Sequence, residues 1–275
     1  MSQSPYMPIP AKIESVVEET SNITTFLVRP EQPIPFRAGQ FVELSVPGIG
    51  EAPFTPSSSP AVSDYMEITI MRVGKVTERL HSLSPGADVG IRGPLGQPYP
   101  LGDFLGREVL IVGGGVGLAP LRALLFALFE EMDLYKKIIV RYGARTPSDL
   151  VYRSALSEAW GKADALDLMV TVDRGDETWT GHEGVVTSIL DGDKLTSDVA
   201  NGVVVVCGPP TMMRFTTLSL LGLGYDKKSI YLSMEKNMSC GVGKCGHCRV
   251  GPYYACTCGP VFSYDKLESL RKIWD

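Results

Sequence analysis

Val109-Leu110-Ile111-Val112-Gly113-Gly114-Gly115-Val116-Gly117-Leu118-Ala119-Pro120 decides how the middle of this chain folds. Its first four residues are a short, wholly apolar run, as strands buried on both faces of a parallel sheet are. Glycines crowd the next five positions, and Leu121 to Glu131 then reads as an apolar helix. Strand, glycine turn and helix form the opening of a dinucleotide-binding βαβ unit, in which glycines let phosphates approach a helix N-terminus. The order of the glycines is not the standard G-x-G-x-x-G.

Working outward toward the C-terminus, Lys137 to Tyr142 predicts a second strand, ending in Gly143-Ala144-Arg145-Thr146, with a helix from Ser148. Asp167 to Thr171 and Val203 to Val206 predict further strands. The last of these runs into Cys207-Gly208-Pro209-Pro210-Thr211-Met212-Met213, again at a helix start. Open α/β sheets bind ligands beyond the carboxyl ends of their strands, where all three turns lie. The alternative is a set of ordinary βα turns. Arg145 and Arg153 stand where a cation could meet a nucleotide 2′-phosphate, and Asp149 lies among them, so NADH and NADPH both stay open. Cys207 has no histidine or cysteine near it in sequence, which makes it a small lining residue rather than a nucleophile.

Toward the N-terminus the pattern turns to β. Ile13 to Val16, Thr24 to Val28, Gln40 to Val46, Met66 to Arg72 and Asp88 to Arg92 have strand composition, separated by proline and glycine. Strands at this density predict a sandwich or barrel, with one helical insertion at Val76 to Leu83. Two segments carry candidate chemistry. In Ala52-Pro53-Phe54-Thr55-Pro56-Ser57-Ser58-Ser59-Pro60, an aromatic beside a hydroxyl residue could stack on a flat ring and bond its heteroatoms; the plain alternative is a Ser/Pro loop. In Gly74-Lys75-Val76-Thr77, Thr77 is expected to cap the helix, whose start suits an anion.

Near the C-terminus, Cys240, Cys245, Cys248 and Cys256 fall in the order C-x4-C-x2-C-x7-C. Four thiolates suit zinc or an iron–sulfur cluster. Structural zinc usually uses two tight C-x2-C knuckles, whereas a wide x4 loop is the spacing of plant-type 2Fe–2S sites. Gly241, Gly243 and Gly246 let backbone amides approach the cluster. Cys258 competes with Cys256 as fourth ligand; Cys256 is preferred because Tyr253-Tyr254-Ala255 predicts a short strand returning to the site. Only His247 lies nearby, and a Rieske centre needs two histidines.

The chain's 275 residues leave room for two domains and a small appendage. A net charge of −5 argues against a nucleic-acid partner, and no apolar run reaches the length of a membrane span. The N-terminal residues lack a signal-peptide pattern, and five of six cysteines fall in the last forty residues. Metal-bound thiolates in a reducing compartment explain them better than disulfides, so a cytoplasmic location is expected.

These segments resemble the ferredoxin–NADP reductase superfamily over nearly the whole chain. The resemblance implies an FAD-binding β-barrel domain at 1–104, an NAD(P)-binding α/β parallel-sheet domain at 105–232 and a small Cys-rich 2Fe–2S module at 233–275. The family's Arg-x-Tyr-Ser/Thr flavin box is matched by Ala52-Pro53-Phe54-Thr55 with two departures: Phe54 replaces the stacking tyrosine, and Ala52 the phosphate-binding arginine. The resemblance assigns Pro53, Phe54, Thr55, Ser57 and Ser58 to the flavin, with Gly74, Lys75, Val76 and Thr77 as a second phosphate loop. Arg72 or Lys75 would supply the missing charge. On the nicotinamide side it assigns Gly113, Gly114, Gly115, Gly117, Pro120, Arg145, Cys207, Gly208 and Pro209. The cysteine run is similar to that of electron-transfer subunits of dihydroorotate dehydrogenase, and more closely to the gamma subunits of cytosolic nickel–iron hydrogenases (sulfhydrogenases) and the B subunit of anaerobic sulfite reductase.

The implied function is an FAD-dependent NAD(P)H oxidoreductase subunit that exchanges electrons with a larger redox catalytic subunit through FAD and the cluster. No acid–base pair or nucleophile set stands out as a site for a final substrate, which is expected if electrons leave to another subunit of a hetero-oligomer. Two rivals are a stand-alone NAD(P)H:ferredoxin-type reductase and a zinc-stapled interaction protein on a degenerate reductase scaffold.

Overall fold

The computed structural model describes residues 4–160, 166–190, 195 and 198–274. The chain divides into two compact units: Met1–Tyr99 with Arg122–Ala127 and Met234–Val261, and Pro100–Leu121 with Leu128–Ser233 and Phe262–Asp275.

The first unit is built on a six-stranded sheet of β1 (Ile9–Thr20), β2 (Ile23–Pro30), β3 (Phe41–Val46), β4 (Gly50–Phe54), β5 (Met66–Met71) and β6 (Asp88–Leu95). Their order is β4-β3-β6-β1-β2-β5, and every neighbouring pair is antiparallel. The edge strands β4 and β5 approach each other without ladder hydrogen bonds. The Ser57 amide spans that seam, donating to Glu67 O at 2.7 Å. This is the expected partly open barrel, filled by Phe26, Val28, Val42, Leu44, Ile68, Ile70, Leu80 and Ile91, all essentially without solvent exposure. Side chains alternate across a strand, which carries Val42 and Leu44 into the core.

The helical insertion is α1 (Lys75–His81), and here one expectation fails. The N-cap is Gly74, not Thr77. Thr77 sits three residues inside the helix and turns its hydroxyl back, accepting from the Val73 and Gly74 amides at 2.9 Å each and donating to Gly74 O at 2.8 Å. A hydroxyl one turn in can reach the amides that a cap would otherwise serve. His81 is likewise structural, bonded to Ile70 O and Thr24 Oγ1.

The second unit holds a seven-stranded sheet in the order β10-β9-β8-β7-β11-β12-β15. Its strands are β7 (Glu108–Gly114), β8 (Lys137–Ala144), β9 (Leu166–Val172), β10 (His182–Glu183), β11 (Val203–Cys207), β12 (Ile230–Ser233) and β15 (Val261–Ser263). The run from β10 to β12 is parallel throughout. Every residue of β7 and β11 is buried, as the apolar runs Val109–Val112 and Val203–Cys207 require, with Glu108 buried at the start of β7. Helices α2 (Leu118–Glu130) and α3 (Pro210–Gly222) follow β7 and β11. Sequence order reverses between β7 and β11, which is the topological switch point of an open α/β sheet.

The helix expected from Ser148 starts later. Pro147–Asp149 make a single 3₁₀ turn, Leu150, Val151 and Tyr152 are buried, and helical residues begin at Arg153. Tyr152 adopts φ 56°, and the Val151 amide donates to Tyr142 Oη at 3.2 Å. Burying three consecutive side chains holds this stretch out of the helix. In the cysteine segment, β13 (Arg249–Val250) pairs with β14 (Tyr253–Tyr254) as a short hairpin. Ala255, expected to end that strand, instead opens the four-residue turn α4 (Ala255–Cys258).

Candidate functional site

At the switch point the turns after β7 and β11 lie against each other. Cys207 pairs with Gly113 in register, so the two strands end together. A Cβ at Gly117 would stand 2.5 Å from Cys207 O and 2.7 Å from Gly208 Cα. A Cβ at Gly114 would meet Met212 Sδ at 3.1 Å, and one at Gly208 would meet the same sulfur at 2.7 Å. A side chain is thus excluded at Gly117 by backbone and crowded at Gly114 and Gly208 by Met212, which keeps backbone amides bare at the mouths of α2 and α3, the arrangement that binds a pyrophosphate. Tyr142 Oη donates to Gly115 O at 3.1 Å and pins the glycine turn to β8. Pro120 lies in the first turn of α2, and Pro209 caps α3. Cys207 is buried, so what it presents to the turn is its carbonyl. Arg145, exposed after β8, is bound to Asp149 at 3.1 Å, the acid the sequence set against it.

In the first unit, Pro53 and Phe54 end β4, opposite Glu43 and Val42 of β3. Phe54 and Thr55 are half-buried, as a ring-stacking residue and its neighbouring hydroxyl must be to reach a bound ring. Ser57 Oγ is committed to the sheet, donating to Glu67 O at 3.1 Å and bonding Thr69 Oγ1 at 3.1 Å. Ser58 differs: it is 2% exposed and its hydroxyl has no hydrogen-bond partner among the described residues. A buried hydroxyl without a partner costs about 1–3 kcal/mol, and a flavin heteroatom is a partner of the right kind. Gly74 and Val76 are half-exposed, and Arg72 and Lys75 beside them are exposed cations outside any ion pair among the described residues.

The cysteines group in two pairs. Cys240 and Cys245 are hydrogen-bonded to each other, and Cys248 Sγ lies 3.2 Å from Cys256 Sγ. Two pairs suit the two irons of a 2Fe–2S cluster, whereas zinc draws four sulfurs around one point. The x4 loop aims its amides at sulfur: Val242, Lys244 and Cys245 donate to Cys240 Sγ at 3.3–3.5 Å, and Gly243 donates to Cys256 Sγ at 3.1 Å. Burial opposes ionisation of Cys240, but the amides of Cys245, Val242 and Lys244 outweigh it and lower its pKa. The His247 amide, ahead of its contacts with Cys240, lowers that of Cys245. Burial, with Cys248 close by, pushes the Cys256 thiol up to about 12. Coordination overrides such a cost, because a coordinating thiol is deprotonated outright. Cys258 is exposed, with Thr257 Oγ1 at 3.7 Å, and stands outside both pairs.

The segment is fastened to the antiparallel sheet by groups that sequence reasoning did not single out. Gln97 donates to Thr257 O at 3.0 Å and its amide to Gly259 O at 2.6 Å. Arg92, 4% exposed, grips Glu51 with two nitrogens and donates to Pro5 O and Cys240 O. Glu43 has no solvent exposure, and neither carboxylate oxygen has a hydrogen-bond partner among the described residues. Burial, and then nearby Glu51, push its carboxyl up to about 7. The one available signal was a glutamate inside an otherwise apolar strand.

Comparison with known proteins agrees with this geometry. The family described as oxidoreductase FAD-binding domain matches residues 10–99, the oxidoreductase NAD-binding domain matches 111–217, and the iron–sulfur cluster binding domain of dihydroorotate dehydrogenase B matches 235–268. The sulfhydrogenase 1 subunit gamma of Pyrococcus furiosus is 33% identical, aligned over 100% of this chain and 97% of its own. A probable dihydroorotate dehydrogenase B (NAD(+)) electron transfer subunit of Methanocaldococcus jannaschii is 31% identical over 96% of this chain and 93% of its own. Among solved structures, a chain of an NADH-dependent reduced ferredoxin–NADP oxidoreductase, studied for flavin-based electron bifurcation, superposes with a TM-score of 0.75 at 28% identity, covering 98% of this chain and 93% of that one. No helix among the described residues is long and apolar enough to cross a membrane. With both nucleotide-binding domains and the cysteine module matched in order, the chain belongs to the ferredoxin–NADP reductase-like flavoprotein subunits that carry a C-terminal iron–sulfur domain of the dihydroorotate dehydrogenase B type.

Proposed function

We propose that this chain is the electron-transfer subunit of a larger cytoplasmic oxidoreductase, carrying electrons between NAD(P)H and a partner catalytic subunit, with domains at 1–104, 105–232 and 233–275. The observation that carries the reading is that the four-cysteine segment lies in the same compact unit as the flavin-motif sheet, tied to it through Gln97 and Arg92. A flavin exchanges electron pairs with nicotinamide and single electrons with iron–sulfur centres, so a chain built for both needs the two cofactors close together.

The chain's own residues bind, orient and screen. The turns at Gly113–Gly117 and Cys207–Pro209 offer amides to the nucleotide, and Arg145 offers a cation to its ribose end. Phe54 supplies a ring face, Thr55 and Ser58 supply hydroxyls, and Ser57 holds that segment against β5. Gly74 to Thr77 form the phosphate loop, with Arg72 and Lys75 for charge. Cys240, Cys245, Cys248 and Cys256 ligate iron. The partner fits a hydrogenase-like or sulfite reductase-like catalytic subunit, electrons passing in either direction.

The test is one preparation of the full chain. Flavin and 2Fe–2S absorption bands, with two irons and two sulfides per chain and bleaching by NADH or NADPH, are expected. A colourless protein with stoichiometric zinc would overturn the reading. Copurification of the tagged chain with a larger redox subunit separates it from a stand-alone reductase.

A further inference from the structure

Resting on the cluster assignment above, one buried group goes beyond it. Arg92 lies in β6, directly across from Glu43 of β3. Its guanidinium donates to Glu51 Oε2 at 2.9 Å, Glu51 Oε1 at 2.6 Å, Pro5 O at 2.8 Å and Cys240 O at 3.4 Å. Beside it the Glu43 carboxyl lies under the cysteine loop, its Oε1 3.4 Å from where a Cβ at Gly241 would be. A structural ion pair between Arg92 and Glu51 explains two of the four contacts. It does not explain why the same cation reaches the peptide of the first cysteine, nor why a second carboxyl is buried there without a hydrogen-bond partner among the described residues.

We propose that Arg92 is a positioning residue for the cluster: it clamps the Cys240 peptide onto the sheet that carries the flavin motif, and its fixed positive charge makes the bound cluster easier to reduce. Reduction adds a negative charge to a centre already held by four thiolates, and cluster potentials follow net charge and hydrogen bonding around the sulfurs. In a buried setting that charge is weakly screened. Glu51 partly cancels the effect, which sets the two side chains in opposition. Arg92 makes no hydrogen bond to Pro53, Phe54 or Thr55 among the described residues; its contact nearest the flavin motif is Glu51, the residue before Ala52 in β4.

The experiment is a redox titration of the full-length holoprotein, following the reduced cluster by EPR and the flavin by absorbance. Arg92→Gln should lower the equilibrium constant for cluster reduction about tenfold, equivalent to about 59 mV for a one-electron couple, with a smaller shift of the flavin potential. Arg92→Lys should restore most of the difference, and Glu51→Gln should move the cluster potential upward. An intact cluster whose potential does not move in Arg92→Gln overturns the proposal, as does a downward shift in Glu51→Gln. If Arg92→Gln fails to retain iron, Glu51→Gln decides alone: an upward shift supports the assignment and no shift overturns it. A wild-type chain without iron or sulfide would instead remove the cluster reading itself.

Discussion

The Cys207 carbonyl oxygen lies 2.5 Å from where a side-chain carbon on Gly117 would begin, closer than any real Cβ contact. The two turns at the switch point therefore interlock through backbone, and a side chain at Gly117 would push away the end of the strand that carries Cys207. Gly117→Ala is expected to destabilise the protein by about 1–3 kcal/mol and to raise the Michaelis constant for NAD(P)H about tenfold, or about 1.4 kcal/mol of binding. Gly115→Ala makes the control, because open space surrounds that position and only its φ of 55° is unfavourable. Urea unfolding and steady-state kinetics on both variants check the contrast.

The grouping of the cysteines predicts unequal losses. Cys245→Ser and Cys256→Ser should each abolish cluster absorbance and acid-labile sulfide while bound flavin is retained. Cys258→Ser, at an exposed position outside both pairs, should leave iron, sulfide and the reduced EPR signal at wild-type levels. Loss of the cluster in Cys258→Ser would make it the ligand in place of Cys256.

Thr77 braces the turn before α1, the proposed flavin-phosphate loop, through its hydroxyl, which holds the Val73 and Gly74 amides and Gly74 O together. Thr77→Val keeps the shape and leaves those groups without their partner, at a cost of about 1–3 kcal/mol. The measurement is flavin retention on gel filtration, expected to fall in the variant, alongside its melting temperature.

Asp167 of β9 holds the buried Arg141 at 2.8 Å and Lys137 at 2.7 Å. Burial alone would raise the Asp167 pKa, but Arg141 and Lys137 outweigh it and place it below the ordinary 3.8. A depressed carboxyl pKa contributes stability that is complete above the unfolded value and lost as pH falls through the folded one. Asp167→Asn should cost about 2 kcal/mol at pH 7, less than the roughly 3–5 of a fully buried pair because Asp167 is partly exposed. The difference from wild type should narrow steadily below pH 4. Denaturant unfolding at pH 7, 5 and 3 measures it.

Arg145 is one of the two cations set at the expected 2′-phosphate position, and Asp149 already engages it. Arg145→Ala should raise the Michaelis constant for NADPH more than that for NADH; equal effects on both would remove Arg145 as the discriminator.

Several features were legible because local sequence dictates them. An unbroken apolar run such as Val109 to Val112 can only be buried, and the glycines after it mark a backbone that must stay bare. The cysteine spacing likewise marks a thiolate site before any fold is known, while leaving Cys256 and Cys258 as rivals for the fourth place. The helix after Ser148 was misplaced for a reason local sequence does not hold: Leu150, Val151 and Tyr152 are all buried, and Tyr142 claims the Val151 amide.

Glu43 shows where the division falls. Alternation along Phe41 to Val46 sets Val42, Leu44 and Val46 on one face and Phe41, Glu43 and Ser45 on the other, which by strand periodicity alone is open to water. In the folded chain Gly241 lies against that second face, two hundred residues away in sequence, and Glu43 is buried beside Arg92. By itself the sequence determined the two nucleotide-binding patterns and the cysteine-rich site, since each depends on neighbours along the chain. Only the tertiary structure decided that Thr77 braces its loop, that the cysteines pair two by two, and that a buried arginine joins the cluster segment to the sheet. Those depend on which distant surfaces meet, and burial and charge acquire their consequences only once water has been displaced between them.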